Sequence, residues 1–160
     1  MRRRRKEGNV LAVRKILVPI DYSETSNRAF HLACSLARDH GAQLVVLHVA
    51  APLVSGYAGG VLLPPPEGYL DELRAKLSGL QARDPKVWVE HRLVEGDPAS
   101  EILRVASEPR CDVIVMGTHG RTGLGRLLMG SVAEQVVRNA PCAVLTVKSP
   151  APPTGEPATG

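Results

Sequence analysis

The chain is short of aromatic side chains: Tyr22, Phe30, Tyr57, Tyr69 and Trp88 are the five among 160 residues. A core must therefore be built from Val, Leu, Ile and Ala, and there is no obvious platform for stacking the bases of single-stranded nucleic acid. Cysteine is scarce as well. Cys34, Cys111 and Cys142 are odd in number, form no CxxC pair and follow no secretory signal, so the sequence predicts a reducing, cytoplasmic setting rather than a disulfide scaffold. Each lies in an apolar context and is read as a small buried hydrophobe. His31, His40, His48 and His91 share no metal-ligand spacing. A membrane span is missing too. Residues 44 to 66 carry no charge and would be long enough at ~20 residues, but His48, Pro52, Gly56, Gly59, Gly60 and three successive prolines break any helix there.

Positive charge is in excess at one place only. The formal net charge is +4 and the pI about 9.2, yet Arg2, Arg3, Arg4, Arg5 and Lys6 against Glu7 supply all of it, and the remaining 153 residues sum to zero. Nucleic acid is therefore not an expected partner of the fold. The basic run could touch nucleic acid or an acidic surface, but runs of this kind are more often solvated tails. Residues 1–13 are read as a flexible arm, residues 14–148 as one domain, and the proline-rich residues 149–160 as a disordered tail. With 44% hydrophobic and 22% charged residues, the centre has the balance of a globular domain.

Five short aliphatic runs cross that domain: Lys15 to Ile20, Gln43 to Val49, Val87 to Val94, Asp112 to Gly117 and Ala143 to Lys148. All but the third are nearly continuously apolar, as parallel strands buried on both faces are. The third partly alternates and carries charge, which predicts an edge. Between them, Ala29, Leu32, Ala33 and Leu36, then Ala99, Ile102, Leu103 and Ala106, then Ala133, Val136, Val137 and Ala140 repeat with helical period. Leu70, Leu73, Leu77 and Leu80 form a leucine stripe, better read as packing on a sheet than as a zipper. Asp97-Pro98 reads as a helix start, and Ser131 to Glu134 as a capping box. Alternating strand and helix predict right-handed crossovers and an open five-stranded parallel sheet. Ala50 to Gly68 is left as a long loop, of a length typical of lids, binding loops or disorder.

The chemistry concentrates between Gly117 and Ser131, where a glycine-rich segment joins the end of the fourth strand to the start of the last helix. Glycines let backbone N–H groups turn inward and a ligand approach, and the first amides of the helix favour a phosphate. Gly117 is expected to keep that approach open, so that a side chain there blocks a ligand without unfolding the chain. The same segment could be a mobile connection with Ser131 as a plain cap. Asp21, just past the first strand, lies where an open sheet binds ligands. It could pair with Glu24 to cap the first helix, or leave that to Ser23 and face ribose hydroxyls or phosphate-bound Mg²⁺.

Gly117-x2-Gly120-x9-Gly130-Ser131, with Val-Pro-Ile-Asp21 after the first strand, Leu47-His48-Val49, Gly96-Asp97-Pro98 and Ala140-Pro141-Cys142, resembles the universal stress proteins over residues 14 to 148. The resemblance implies a flavodoxin-like (adenine nucleotide alpha hydrolase-like) α/β sandwich of strand order 3-2-1-4-5. It also implies a homodimer joined through the fifth strands, and ATP binding in members that keep the glycine motif. Carried over, Asp21 would meet ribose or metal, Val49 the adenine, and Pro19 would wall the base. Gly117, Gly120, Gly130, Ser131 and Val132 would hold phosphates and ribose, with Arg121 in the loop. Ala143 stands where many members have proline.

No Lys-[Ser/Thr] pair of the P-loop kind follows the glycines, and His119, Arg121 and Arg126 are read as solvated loop residues. The function expected is a nucleotide-dependent stress-response sensor with little or no hydrolysis. The alternatives are a nucleotide alpha-hydrolase with slow ATPase activity and a dimeric scaffold with a vestigial pocket.

Overall fold

The structure is a computed structural model and describes residues 12–51, 57–58, 61–62, 66–108, 111–119 and 129–149. Five parallel strands form its centre: β1 (Lys15–Pro19), β2 (Gln43–Ala50), β5 (Val89–Glu95), β6 (Val113–Gly117) and β7 (Ala143–Val147), in the order β5-β2-β1-β6-β7. In chain order this is 3-2-1-4-5, the flavodoxin-like arrangement. Two further strands, β3 (Tyr57–Ala58) and β4 (Val61–Leu62), pair antiparallel as a short hairpin inside the stretch the sequence marks as a loop. The remainder of residues 52–65 lies outside the described residues.

Four helices cover the sheet. On one face lie α1 (Glu24–His40) and α2 (Tyr69–Ser78); on the other lie α3 (Pro98–Ser107) and α4 (Ser131–Asn139). Period-two alternation sorts the strand residues between them. Ile16, Val18, Leu44 and Val46 join Ala29, Phe30 and Leu77 on the first face, while Leu17, Val45, Leu47 and Ile114 join Ile102, Val105 and Val136 on the second. The aliphatic core is thus split into two layers by a sheet buried on both sides.

Local signals explain the ends of the helices. Ser23 caps α1 by accepting Ser26 N–H at 3.2 Å, and Gly41 closes it at φ 63°, a left-handed position that costs glycine little. Asp97 caps α3 by accepting Ser100 N–H at 2.9 Å, with Pro98 in the first turn. The capping box expected at Ser131 does not form. Gly130 is the N-cap, Ser131 is already helical, and among the described residues no side chain caps α4.

Three packing expectations also shift. Leu32 and Val137 are exposed at 38% and 45%, so the buried face of α1 turns toward Ala29, Phe30 and Ala33, and that of α4 narrows to Ala133 and Val136. In α3, Val105 rather than Leu103 completes the buried stripe. Of the leucine stripe only Leu77 is fully buried, and α2 packs on β5 as a sheet-covering helix should. The third run forms an edge strand, since among the described residues β5 pairs only with β2. The fifth is the other edge: among the described residues β7 pairs only with β6 and leaves Leu145 40% exposed, so it is not buried there on both faces.

Candidate functional site

Strand order decides where a ligand can sit. From β1 the chain crosses to β2 under α1, and later from β6 to β7 under α4 on the opposite face, so a crevice opens at the carboxyl ends of β1 and β6. A cleft of about 160 Å³ lies there on the α3/α4 side. Its apolar walls come from Pro19, Leu47, Val49, Ile102 and Met116, and its polar groups include Asp21, Ser26 and His119. A slot of apolar side chains with a few convergent polar groups is the usual form of a small-molecule site.

Asp21 stands at the mouth of β1 and does not cap α1. Its Oδ1 accepts Ser23 N–H at 2.9 Å, an Asx turn that orders the β1–α1 corner, while the cap is the Ser23 hydroxyl. Among the described residues its other oxygen makes no hydrogen bond, so a carboxylate oxygen stays available at the cleft. Tyr22, next along, has φ 65°, the one positive φ outside glycine among the described residues. The Lys76 ammonium lies 3.8 Å from its ring centroid and the His48 ring 5.0 Å away, while His48 Nδ1 meets the Ile20 carbonyl at 2.7 Å. Burial raises the Tyr22 pKa.

Across the cleft the β6 end is tied to α1 and α4. Thr25 Oγ1 donates to the His119 carbonyl, and Gly130 N–H donates to the Thr118 carbonyl at 2.8 Å. The glycine-rich segment therefore leaves and rejoins the fold at adjacent points, which brings His119 beside the N-terminus of α4. Among the described residues no side chain caps that helix, and its first-turn amides make this end positive.

Of the residues the sequence nominates, Pro19, Asp21, Val49, Gly117 and Val132 line the cleft. Gly130 and Ser131 open the helix that carries Val132. Gly120 and Arg121 lie outside the described residues. His119 corrects its reading as a solvated loop side chain: its Nε2 is buried without a partner among the described residues. Its place between Gly117 and Gly120 was the available signal. Ile102 and Met116 are also missed as wall residues, because their strand and helix periods mark them simply as core.

The described residues contain no group of three or more His, Cys, Asp or Glu able to hold a metal ion. A cation in this cleft would need donors from a ligand besides the Asp21 carboxylate. One carboxylate with substrate phosphates is an ordinary Mg²⁺ site, so the residues present fit that group. Among the described residues no helix is long and apolar enough to cross a membrane.

The fold is of the flavodoxin-like class, and its cleft lies where open α/β sheets bind ligands, beyond the carboxyl ends of the strands. The chain belongs to the universal stress protein family, whose profile matches residues 12–148. It is 38% identical over 141 residues to a universal stress protein of Methanocaldococcus jannaschii, covering 86% of this chain and 83% of that one. The structure of the universal stress protein from Archaeoglobus fulgidus in complex with dAMP is similar at TM-score 0.62 and 25% identity, over 86% of this chain and 99% of that one. A universal stress protein family member from Arabidopsis thaliana, solved with AMP bound, is similar at TM-score 0.59 and 25% identity, over 90% and 97%.

Proposed function

We propose that this chain binds ATP with Mg²⁺ in the cleft between β1 and β6, and acts as a cytoplasmic, nucleotide-dependent stress-response sensor with little or no hydrolysis. The observation that carries the reading is the pairing of the uncapped α4 N-terminus with the Asp21 carboxylate across an apolar slot. The dAMP and AMP complexes of the two relatives support it.

In this reading the base lies between Pro19 and Val49, and Gly117 and Val132 border the ribose. The phosphates meet the first amides of α4 with Gly120, Gly130, Ser131 and Arg121. Each role follows from chemistry: apolar walls exclude water from the base, and unpaired amides at a helix start stabilise an anion. Mg²⁺ would neutralise phosphate charge, with Asp21 as its protein donor. Efficient phosphoryl transfer needs a cation fixed at the γ-phosphate and a group that orients the nucleophile, and among the described residues no lysine or arginine lines the cleft.

A second copy of the chain would pair through β7, residues Ala143 to Lys148, since among the described residues that strand has one unpaired edge and leaves Leu145 exposed. Calorimetry with MgATP tests the central reading. Saturable binding below millimolar concentration is expected, with adenine nucleotide recovered by mass spectrometry from protein denatured after purification. No heat and no nucleotide would overturn it.

A further inference from the structure

His48 stands between two residues of the cleft wall, Leu47 and Val49, and points away from both. Alternation along β2 sends those two to the α3/α4 face and His48 to the α1/α2 face, where Tyr22 also packs. The backbone ladder between β1 and β2 ends at this point. Pro19 pairs with Leu47, and Ile20 N–H donates to the Leu47 carbonyl at 2.8 Å. The Ile20 carbonyl is met by a side chain, His48 Nδ1 at 2.7 Å. A carbonyl oxygen only accepts, so Nδ1 carries a hydrogen whether the ring is neutral or charged.

Asp21 lies between two anchors on this one ring. Before it, Ile20 is held by the hydrogen bond; after it, the Tyr22 ring lies 5.0 Å from the His48 ring, with the Lys76 ammonium 3.8 Å from the centroid of Tyr22. Tyr22 has the left-handed backbone at φ 65°, which a side-chain-bearing residue keeps only where its surroundings hold it. The Asx turn to Ser23 N–H fixes the Asp21 carboxylate relative to α1, but not relative to β2. His48 supplies that second reference, since its own chain neighbour Val49 lines the slot.

We infer that His48 is a positioning residue of the cleft, fixing the Asp21 carboxylate relative to Val49 from the far face of the sheet. The inference rests on the nucleotide reading and adds to it a residue that touches no ligand. Such a residue acts only through what Asp21 does. Its loss should therefore show in the affinity that Mg²⁺ adds, and not in the affinity of the cation-free nucleotide.

The test is calorimetry on the full chain with ATP, with and without Mg²⁺. His48→Leu removes the donor and should weaken MgATP by about three- to tenfold, no more than loss of the Asp21 charge itself, while leaving cation-free ATP within about twofold. His48→Asn offers an amide N–H in place of Nδ1–H and should recover most of the loss. Combined with Asp21→Asn, His48→Leu should cost nothing further, because a residue acting through the carboxylate has nothing left to position. Linkage supplies a measurement that needs no variant: if the ring favours bound Mg²⁺, MgATP must favour the ring's hydrogen bond. Exchange of the His48 Nδ1 hydrogen, followed by NMR, should be slower with MgATP than with ATP alone. Equal weakening with and without the cation, additivity with Asp21→Asn, no recovery in His48→Asn, a wild type that gains nothing from Mg²⁺, or exchange indifferent to MgATP would overturn the assignment while leaving nucleotide binding intact. A wild-type chain that binds ATP under neither condition overturns both readings, so the two failures are told apart.

Discussion

Gly117 at the end of β6 and Thr25 at the start of α1 approach so closely that a Cβ built on the glycine would lie 2.6 Å from Thr25 Oγ1 and 2.8 Å from Thr25 Cβ. The missing side chain makes room for a helix. This corrects the expectation that a side chain at 117 would block only the ligand. Gly117→Ala should force the β6 end and α1 apart and destabilise the fold by about 1–3 kcal/mol, the usual cost of overpacking. In a chain of this size that is a fall of several degrees in melting temperature. An unchanged melt with lost nucleotide binding would contradict the packing role.

Asp21→Asn separates charge from architecture. The amide oxygen can still accept Ser23 N–H, so the Asx turn and the melting temperature should be retained. Affinity for MgATP should fall about tenfold, or ~1.4 kcal/mol, because the neutral side chain is a poorer ligand for a divalent cation. Calorimetry with and without Mg²⁺ checks this: the loss should appear only with the cation present.

Tyr22 carries a buried hydroxyl that makes no hydrogen bond among the described residues. Removing it in Tyr22→Phe leaves the ring under Lys76 and should stabilise the chain by about 1 kcal/mol, since an unpaired buried donor is a cost. Lys76→Met should have the opposite sign, losing about 0.5–1 kcal/mol of cation–π attraction. Urea titration of both variants is the measurement, and a destabilised Tyr22→Phe would show that the hydroxyl has a partner.

Burial raises the Cys34 and Cys111 thiols from 9.0 to about 11. The folded chain then keeps these protons where the unfolded chain releases them, so their contribution to stability is complete below pH 9 and is lost as pH rises toward 11. Alkylation at pH 8 should be much slower in the folded protein than in urea, because the thiolate is the nucleophile. Equal rates would show the thiols to be accessible and ionised.

Much of this was legible because the signals are local. The near-continuous apolar runs marked β1, β2 and β6 as strands buried on two faces, and Asp97-Pro98 marked the start of α3, since an N-cap and a first-turn proline act within a few residues. Of the cleft residues, Asp21 and Gly117 were legible from a strand end and the glycine-rich segment, while Pro19, Val49 and Val132 came from the resemblance to the universal stress proteins. The choice between Ser23 and Asp21 as the α1 cap was not legible, because both offer an oxygen within reach and backbone geometry selects one.

By itself the sequence determined which segments become the five parallel strands and the helices between them, though not the β3–β4 hairpin, and that a chain this poor in rings packs on aliphatic side chains. Those follow from periodicity and from backbone sterics that act over short distances. Only the tertiary structure decided that α4 starts uncapped at Gly130, that Gly117 is a contact surface for Thr25, and that the His119 ring turns its Nε2 inward. Each depends on atoms from segments far apart in sequence meeting at one point, and pattern along the chain carries no record of such meetings.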